Sequence, residues 1–438
     1  MIDQAVNQND LLFKNSNKKY YIASLDFINQ VSKRSRRLLL LTTQDDSEDF
    51  KKQDLKPPQL NLDKMCYVTM IKGIRSIRSS IFKQDSVFRT SNVSKYASKA
   101  SLMSTTASTN TSASQFCMDL VKEHDYDNYL CGLLLPKSSR QAYFAIRAFN
   151  CEIARIKDTV KGNVMTGAIR FTFWNDMFDA IYAGNLTSTS SKLSDNSPIV
   201  QELVIAIENH NLTQRLFGRC IEARHNDLHN TRPETLADLE NYSELAHSSI
   251  LYLLLQIMNI DNRNAEFVAS HVGVCSGLVT LLRGTAFHAN EGNIYIPRET
   301  ANRFNLIDRV VMRGPTNEQE IEALRESIYD TASQAHAHLD RARVLMRQCS
   351  SSSSSSGDDE SSSSSSSDSG SSDSVWDASA GVVPTEAVYA LLPAVRSSMV
   401  LEDLQKTNFN PFDELILGSR PALGYQVRLL KSIIFKSF

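Results

Sequence analysis

The sequence predicts an all-α fold, and three stretches carry that prediction. No Lys, Arg, Asp or Glu occurs from Phe267 to Leu282, which is typical of a helix buried on most sides. Between Pro136 and Asp158, apolar residues recur at spacings of three and four and form one core-facing stripe, which comprises Ala142, Ile146, Phe149, Ile153 and Ile156. Residues 317–348 form a third amphipathic helix.

The composition gives no indication of a nucleic-acid partner or of a spanning segment. The 438 residues include 47 basic and 49 acidic side chains, for a net charge of −2. The longest apolar run, Ile250 to Ile260, is shorter than the roughly 20 residues that a spanning helix needs, so we expect a soluble or membrane-peripheral protein. Seven cysteines without a Cys-x-x-Cys motif favour buried thiols over disulfides.

The N-terminal part of the chain shows two compositions. Residues 1–64 contain charge runs without a sustained period, which predicts a disordered extension or a misassigned start codon. Residues 65–114 contain seven basic residues and one acidic residue among many Ser and Thr, which is typical of a mitochondrial targeting region. Because targeting regions stand at the N-terminus, we expect Met65 or Met70 to be the working start, or import to tolerate the extension; the alternative is a basic disordered linker.

The rest of the chain, residues 115–438, is predicted to form one helical domain with an insert. We expect the domain to begin near Gln115, to run to residue 348 and to be completed by C-terminal helices over residues 376–438. Between these parts, residues 349–375 form a Ser/Asp-rich tract with too few apolar side chains to fold, so we expect a disordered insert. The basic amphipathic end of the chain indicates either a last core helix or a helix on a membrane surface.

Four short motifs carry a family resemblance. The chain contains LLLP at 133–136, AIRAFN at 145–150, GNIYIP at 292–297 and LLPA at 391–394. In these motifs and their order the chain resembles the squalene/phytoene synthase family. The resemblance implies an isoprenoid (terpenoid) synthase-like helical bundle around a central cavity.

The resemblance also fixes the register of the family's two Asp-rich motifs. In the family, the first signature helix runs into Asp-x-x-x-Asp and the second ends in Arg-Asp-x-x-x-Asp shortly before GNIYIP. Counting from the flanking motifs, Ala154 and Asp158 occupy the first pair of Asp positions, and Gly284 and His288, after Arg283, occupy the second. Three of the four carboxylates implied by the family are therefore missing.

The chemistry of Mg²⁺ explains why this loss matters. Family enzymes ionise diphosphates with Mg²⁺, an ion that takes hard oxygen ligands, and alanine or glycine offers none. Histidine is a poor Mg²⁺ ligand, so Asp158 alone should not hold a metal cluster. We therefore predict a pseudoenzyme with no catalytic residue, no metal and no cofactor.

Other residues of the motif regions match the family only in part. Residues Glu222 to Asp227 match the family's Asp-x-x-x-Asp-Leu region only in part, and His247 stands where the enzymes have a small residue. That imidazole could narrow a cavity or pack in the core. The pairs His225/His229 and His336/His338 lack a third ligand, and the second pair, two residues apart, should point to different sides of its helix.

The resemblance implies one main function and two alternatives. The degraded motifs resemble those of non-catalytic family members that assist the assembly of respiratory complex I (NADH:ubiquinone oxidoreductase) on the matrix side of the inner mitochondrial membrane. The partners of this chain would then be complex I subunits or assembly intermediates at an early stage, and the chain would contact the membrane peripherally. The alternatives are an isoprenoid- or lipid-binding protein whose remnant cavity is lined by Ala154, Gly277 and Gly284, and an active Mg²⁺-dependent prenyl transferase.

Overall fold

The computed structural model describes residues 112–160, 162–190, 193–229, 232–351, 381–418 and 422–438. Every regular element in these ranges is a helix, so the all-α prediction is confirmed. The chain divides into two compact units, one of residues 1–98 with 420–427 and one of residues 99–419 with 428–438. Of the first unit, only residues 422–427 are described.

The helices of the N-terminal half are short to medium in length. They are α1 (Ala113–His124), α2 (Tyr126–Leu134), α3 (Lys137–Ala154), α4 (Ile156–Val160), α5 (Val164–Tyr182), α6 (Pro198–His210), α7 (Gln214–Asp227), α8 (Leu236–Ser243), a π-helical segment (Glu244–Ser248) and α9 (Ser249–Ile257). One 3-10 turn, Leu193–Asp195, precedes α6. The side chain of Ser112 caps α1, so regular structure starts just before the predicted boundary at Gln115.

The C-terminal half contains the two longest helices. Its elements are α10 (Arg263–Arg283), α11 (Thr285–Asn290), α12 (Arg298–Arg303), α13 (Asp308–Arg313), α14 (Glu318–Ser351), a 3-10 turn (Thr385–Ala387), α15 (Val388–Leu391), α16 (Pro393–Lys406), α17 (Glu414–Leu417) and α18 (Ala422–Phe435). Helix α14 covers the predicted amphipathic stretch 317–348 almost completely.

Helix α10 is the central helix of the bundle. It packs along α14 and also contacts α8, the π-helical segment, α9 and α16. In the described residues it is the one helix long and apolar enough to cross a membrane, yet 67% of its most apolar window is buried inside the protein. That burial is what the uncharged stretch from Phe267 to Leu282 predicts for a core helix.

The apolar stripe of α3 forms the other half of the core. All five predicted stripe residues are at most 3% exposed. Phe149 from this stripe packs edge-to-face against Trp174 and Phe178 of α5 and against Phe217 of α7. Such aromatic contacts fix the angle between helices as well as burying apolar area.

The described residues touch the predicted domain boundaries only in part. Residues 1–64, the targeting region up to 111 and the insert from 352 onward lie outside them, while α14 continues to Ser351. At the other end, Leu429 is fully buried and Arg428 donates to Glu402 of α16 at 2.8 Å. This ion pair favours a packed last helix over one lying on a membrane.

Candidate functional site

Both signature helices break within the motifs that the family resemblance assigns to them. Helix α3 ends at Ala154, one residue separates it from α4, and Asp158 lies in α4. Helix α10 ends at Arg283, Gly284 is the break, and His288 lies in α11. Each predicted single helix is therefore two helices, although backbone hydrogen bonds from Thr159 to Arg155 (3.0 Å) and from His288 to Gly284 (2.9 Å) still bridge the breaks.

Gly284 and His288 fit each other sterically. A Cβ atom at Gly284 would lie 2.8 Å from Nε2 and 2.9 Å from Cδ2 of His288, closer than real Cβ contacts. The imidazole also packs edge-to-face on the ring of Tyr295, with centroids 4.7 Å apart. The His288 ring thus fills the space that any larger side chain at position 284 would need.

A lysine from α4 pairs with a carboxylate of α7. Lys157 Nζ lies 3.0 Å from Asp227 Oδ1 and donates to the hydroxyl of Tyr295 at 3.0 Å. The Tyr295 hydroxyl in turn donates to Asp227 Oδ2 at 2.8 Å. Both oxygens of Asp227 are therefore engaged within the protein by a triad from α4, α7 and the GNIYIP stretch. We call these three residues the Lys157 triad.

The titration of the neighbouring groups follows from partial burial and from these charges. Desolvation raises the pKa of Asp158, and the negative charges of Glu291 and Asp227 raise it further against the opposing charge of Lys157. Burial lowers the pKa of His288 to about 4, with Asp227 opposing that shift and Lys157 adding to it. His288 is therefore a neutral imidazole at physiological pH.

The donor set does not fit the Mg²⁺ cluster that the family implies. Glu291 and Asp227 both lie within electrostatic reach of Asp158, but Asp227 is engaged by Lys157. Across the described ranges no group of three or more His, Cys, Asp or Glu side chains could hold a metal ion. Sequence reasoning missed Lys157 and Glu291, although they directly precede Asp158 and the GNIYIP stretch.

Of the three small residues predicted to line a lipid cavity, the two glycines lie against neighbouring side chains. Ala154 lies at the exposed end of α3, and Gly284 faces His288. Gly277 faces Ser243, whose Cα atom would lie 3.0 Å from a Cβ atom at that glycine. Both glycines permit close packing at these contacts, and a cavity lined by the three residues stays a prediction. Two cavities, of about 590 Å³ and 280 Å³, are lined by other residues.

The remaining predicted residues take ordinary structural contacts. Arg283 donates to Asp127 at 3.0 Å. The rings of His225 and His229 lie 5.6 Å apart. His336 pairs with Asp340 and His338 with Glu240, so those two histidines point to different sides, as predicted.

The comparison with known families covers most of the helical bundle. The family model described as squalene/phytoene synthase matches residues 121–415. The chain belongs to the squalene/phytoene synthase family. The resemblance inferred from the four short motifs is thereby confirmed.

Two relatives of this family member are named for a different role. A protein of Bos taurus named NADH dehydrogenase (ubiquinone) complex I, assembly factor 6 is 36% identical over 233 residues, which make up 53% of this chain and 66% of that protein. The Homo sapiens protein of the same name is 36% identical over 228 residues, 52% of this chain and 65% of that protein. The chain thus matches slightly less than two thirds of the length of these relatives.

A solved structure identifies the fold. A squalene synthase from Alicyclobacillus acidocaldarius superposes with a TM-score of 0.52 at 17% identity, covering 68% of this chain and 95% of that protein. At this identity the likeness shows the fold alone. The squalene/phytoene synthase family member described here therefore has an isoprenoid-synthase-like helical fold, as the resemblance implied.

Proposed function

We propose that this protein is a non-catalytic member of its family that assists the assembly of mitochondrial respiratory complex I. The names of the bovine and human relatives support the role. The Lys157 triad supports the absence of catalysis and is the single observation that carries it. In this proposal Ala154, Gly284 and His288 stand at family Asp positions. The ammonium group of Lys157 forms an ion pair with the neighbouring carboxylate of Asp227.

The triad opposes metal binding for an electrostatic reason. A Mg²⁺ ion would have to displace the Lys157 ammonium from a largely buried carboxylate, and the freed ammonium would then lie beside the metal. The neutral His288 offers nitrogen where Mg²⁺ prefers oxygen. Asp158 remains, but its raised pKa reflects surroundings that already disfavour negative charge.

The finer parts of the proposal concern place and partners. We infer that the protein works on the matrix side of the inner membrane, contacts complex I subunits or intermediates at an early stage, and binds no nucleic acid. The basic, Ser-rich composition of residues 65–114 supports import into mitochondria. Fractionation with protease protection of mitoplasts tests the location, and a chain found outside mitochondria would contradict it.

Genetic complementation tests the role itself. In cells lacking the protein, assembled complex I on native gels and NADH:ubiquinone activity should fall, and the wild-type chain should restore both. An Asp158→Asn variant should restore them equally, because no carboxylate chemistry is required. If Asp158→Asn folds normally but fails to restore complex I, the non-catalytic proposal is contradicted.

A turnover assay separates assembly from enzymology. Purified protein incubated with farnesyl or geranylgeranyl diphosphate and Mg²⁺ should release no squalene-like or phytoene-like hydrocarbon. An active family enzyme assayed in parallel is the control. Product formation above the heat-denatured sample would favour the prenyl transferase alternative.

A further inference from the structure

An arginine is buried in the bundle, 5.6 Å from the centre of the Tyr143 ring, with two of its three guanidinium nitrogens unbonded among the described residues. Arg147, on α3, is 6% exposed, and within the described part of the chain its Nε and Nη2 atoms have no hydrogen-bond partner. Its Nη1 atom lies 4.0 Å from Asp125 Oδ2, an ion pair too long for a hydrogen bond. A buried charge with unused donors is unfavourable, so such groups are normally satisfied by water, an ion or a ligand.

A second buried arginine lies close by on α7. Arg224 is 7% exposed and donates to Asn150 Oδ1 at 2.7 Å and to the carbonyl of Cys220 at 3.3 Å. Asn150 stands one helical turn after Arg147 on α3, so the two arginines meet the same face of that helix. These two hydrogen bonds of Arg224 go to neutral groups, which do not balance its charge.

The π-helical segment supplies the third side. His247 lies in this segment, which packs against α7. Burial lowers the pKa of His247 to about 3, and the charges of Arg224 and Arg147 lower it further. The imidazole is therefore neutral and adds no positive charge, but it can share a hydrogen bond with an anion. Single π-helical turns are frequent at functional sites.

The two arginines constrain what could occupy this region. A hydrocarbon tail would leave the Arg147 donors unbonded and both charges desolvated, which disfavours an isoprenoid ligand there. Water would satisfy the hydrogen bonds without balancing the charge of Arg224, and the ion pair with Asp125, at 4.0 Å, balances the charge of Arg147 only in part. A phosphate or carboxylate does both, because its oxygens match the planar donor fork of arginine.

We propose that the interior between α3, α7 and the π-helical segment binds a small oxyanion, a phosphate or carboxylate group, through Arg147, with Arg224 and His247 beside it. This binding site is independent of the role in complex I assembly. The group could come from a free metabolite or from a lipid headgroup, and the two sources share this recognition chemistry.

Inorganic phosphate is the probe for the site. Thermal unfolding of the purified full chain, in chloride and phosphate buffers of equal ionic strength, should show a saturable rise of Tm with phosphate. Arg147→Met, which replaces the charge with an apolar chain of similar length, should lose the phosphate response, and its Tm in chloride reports the separate cost of leaving Asp125 without its ion-pair partner. Arg170→Gln, at an exposed arginine that bonds Thr159, is the matched control and should keep it.

Two further arms keep the test decisive. If Arg147→Met does not fold, Arg147→Lys keeps the charge without the fork and should bind phosphate about tenfold more weakly in calorimetry. If dihexanoyl phosphatidic acid binds more tightly than phosphate, the ligand is a lipid headgroup. If the two probes bind equally, the ligand is a free anion. Absence of a saturable response to both probes, or an equal response in Arg147→Met and wild type, overturns the proposal.

Discussion

The two helix breaks differ in the interactions that surround them. The break after Ala154 is charged: Asp158 lies at the surface, and the adjacent Lys157 reaches back to Asp227. The break at Gly284 is closely packed, because the His288 ring fills the space beside the glycine. One break is therefore held by an ion pair and the other by steric fit.

This difference has a thermodynamic consequence. Ion pairs removed from water are weak net contributors while intact, but breaking one leaves an uncompensated charge. Packed small-residue contacts respond instead to added volume. The first break should be sensitive to the loss of a charge, and the second to the gain of a side chain.

The largest effect should come from Lys157→Met. Asp227, whose side chain is 14% exposed, would lose its only charged partner within the triad, and stability should fall by on the order of 3 kcal/mol. Urea unfolding measures the change. The double variant Lys157→Met with Asp227→Leu should recover a large part of the loss, since it removes both charges. A single-variant loss below about 1 kcal/mol would contradict the ion-pair account.

The second break should respond to Gly284→Asp. The new Cβ atom would collide with His288, so we expect a loss of about 2 kcal/mol, and combination with His288→Ala should relieve part of it. Gly218→Ala is the matched control, because a Cβ atom there meets nothing within 4 Å and alanine favours the helix. Strictly additive effects of the two changes at 284 and 288 would argue against the steric coupling.

The sequence predicted the helices well because their apolar stripes are local patterns. The buried stripe of α3 and the uncharged core of α10 follow directly from residue spacing. The family resemblance placed Asp158 and His288 at the ends of these two helices, whereas in the structure they lie in the short helices α4 and α11, beyond the breaks.

Tertiary pairing could not be predicted in the same way. Lys157 and Asp227 meet across 70 positions, and Lys157 and Tyr295 across 138 positions, with no periodicity to signal either contact. Gly277 posed the opposite difficulty, because a glycine is as suitable beside a cavity as in a tight helix contact. For Arg147 a signal was present: a lone charge between apolar residues in the motif AIRAFN.

The pH dependence should distinguish the breaks by sign. The folded-state pKa of His288, about 4, lies below its unfolded value, so the unfolded chain binds more protons and stability falls as pH drops from about 6.5 toward 4. The raised pKa of Asp158 acts in the opposite direction, because its contribution to stability is lost as pH rises through the carboxyl range.

The His288→Gln variant tests the histidine contribution. Between pH 7 and pH 5, this variant should lose on the order of 1 kcal/mol less stability than wild type. His247, whose pKa is also lowered, contributes equally to both chains. Parallel pH profiles would remove His288 as a titrating group.

The smallest effect should come from Asp158→Asn. This side chain lies at the surface beside two other carboxylates, so removing its charge relieves repulsion without leaving a buried partner. We expect unfolding free energies within about 0.5 kcal/mol of wild type at pH 7. The same substitution at Asp227 should be far more damaging, since Lys157 and Tyr295 both bond that carboxylate. Equal losses at the two positions would mean that Asp158 is engaged as firmly as Asp227, and the charged break would then need both carboxylates rather than one.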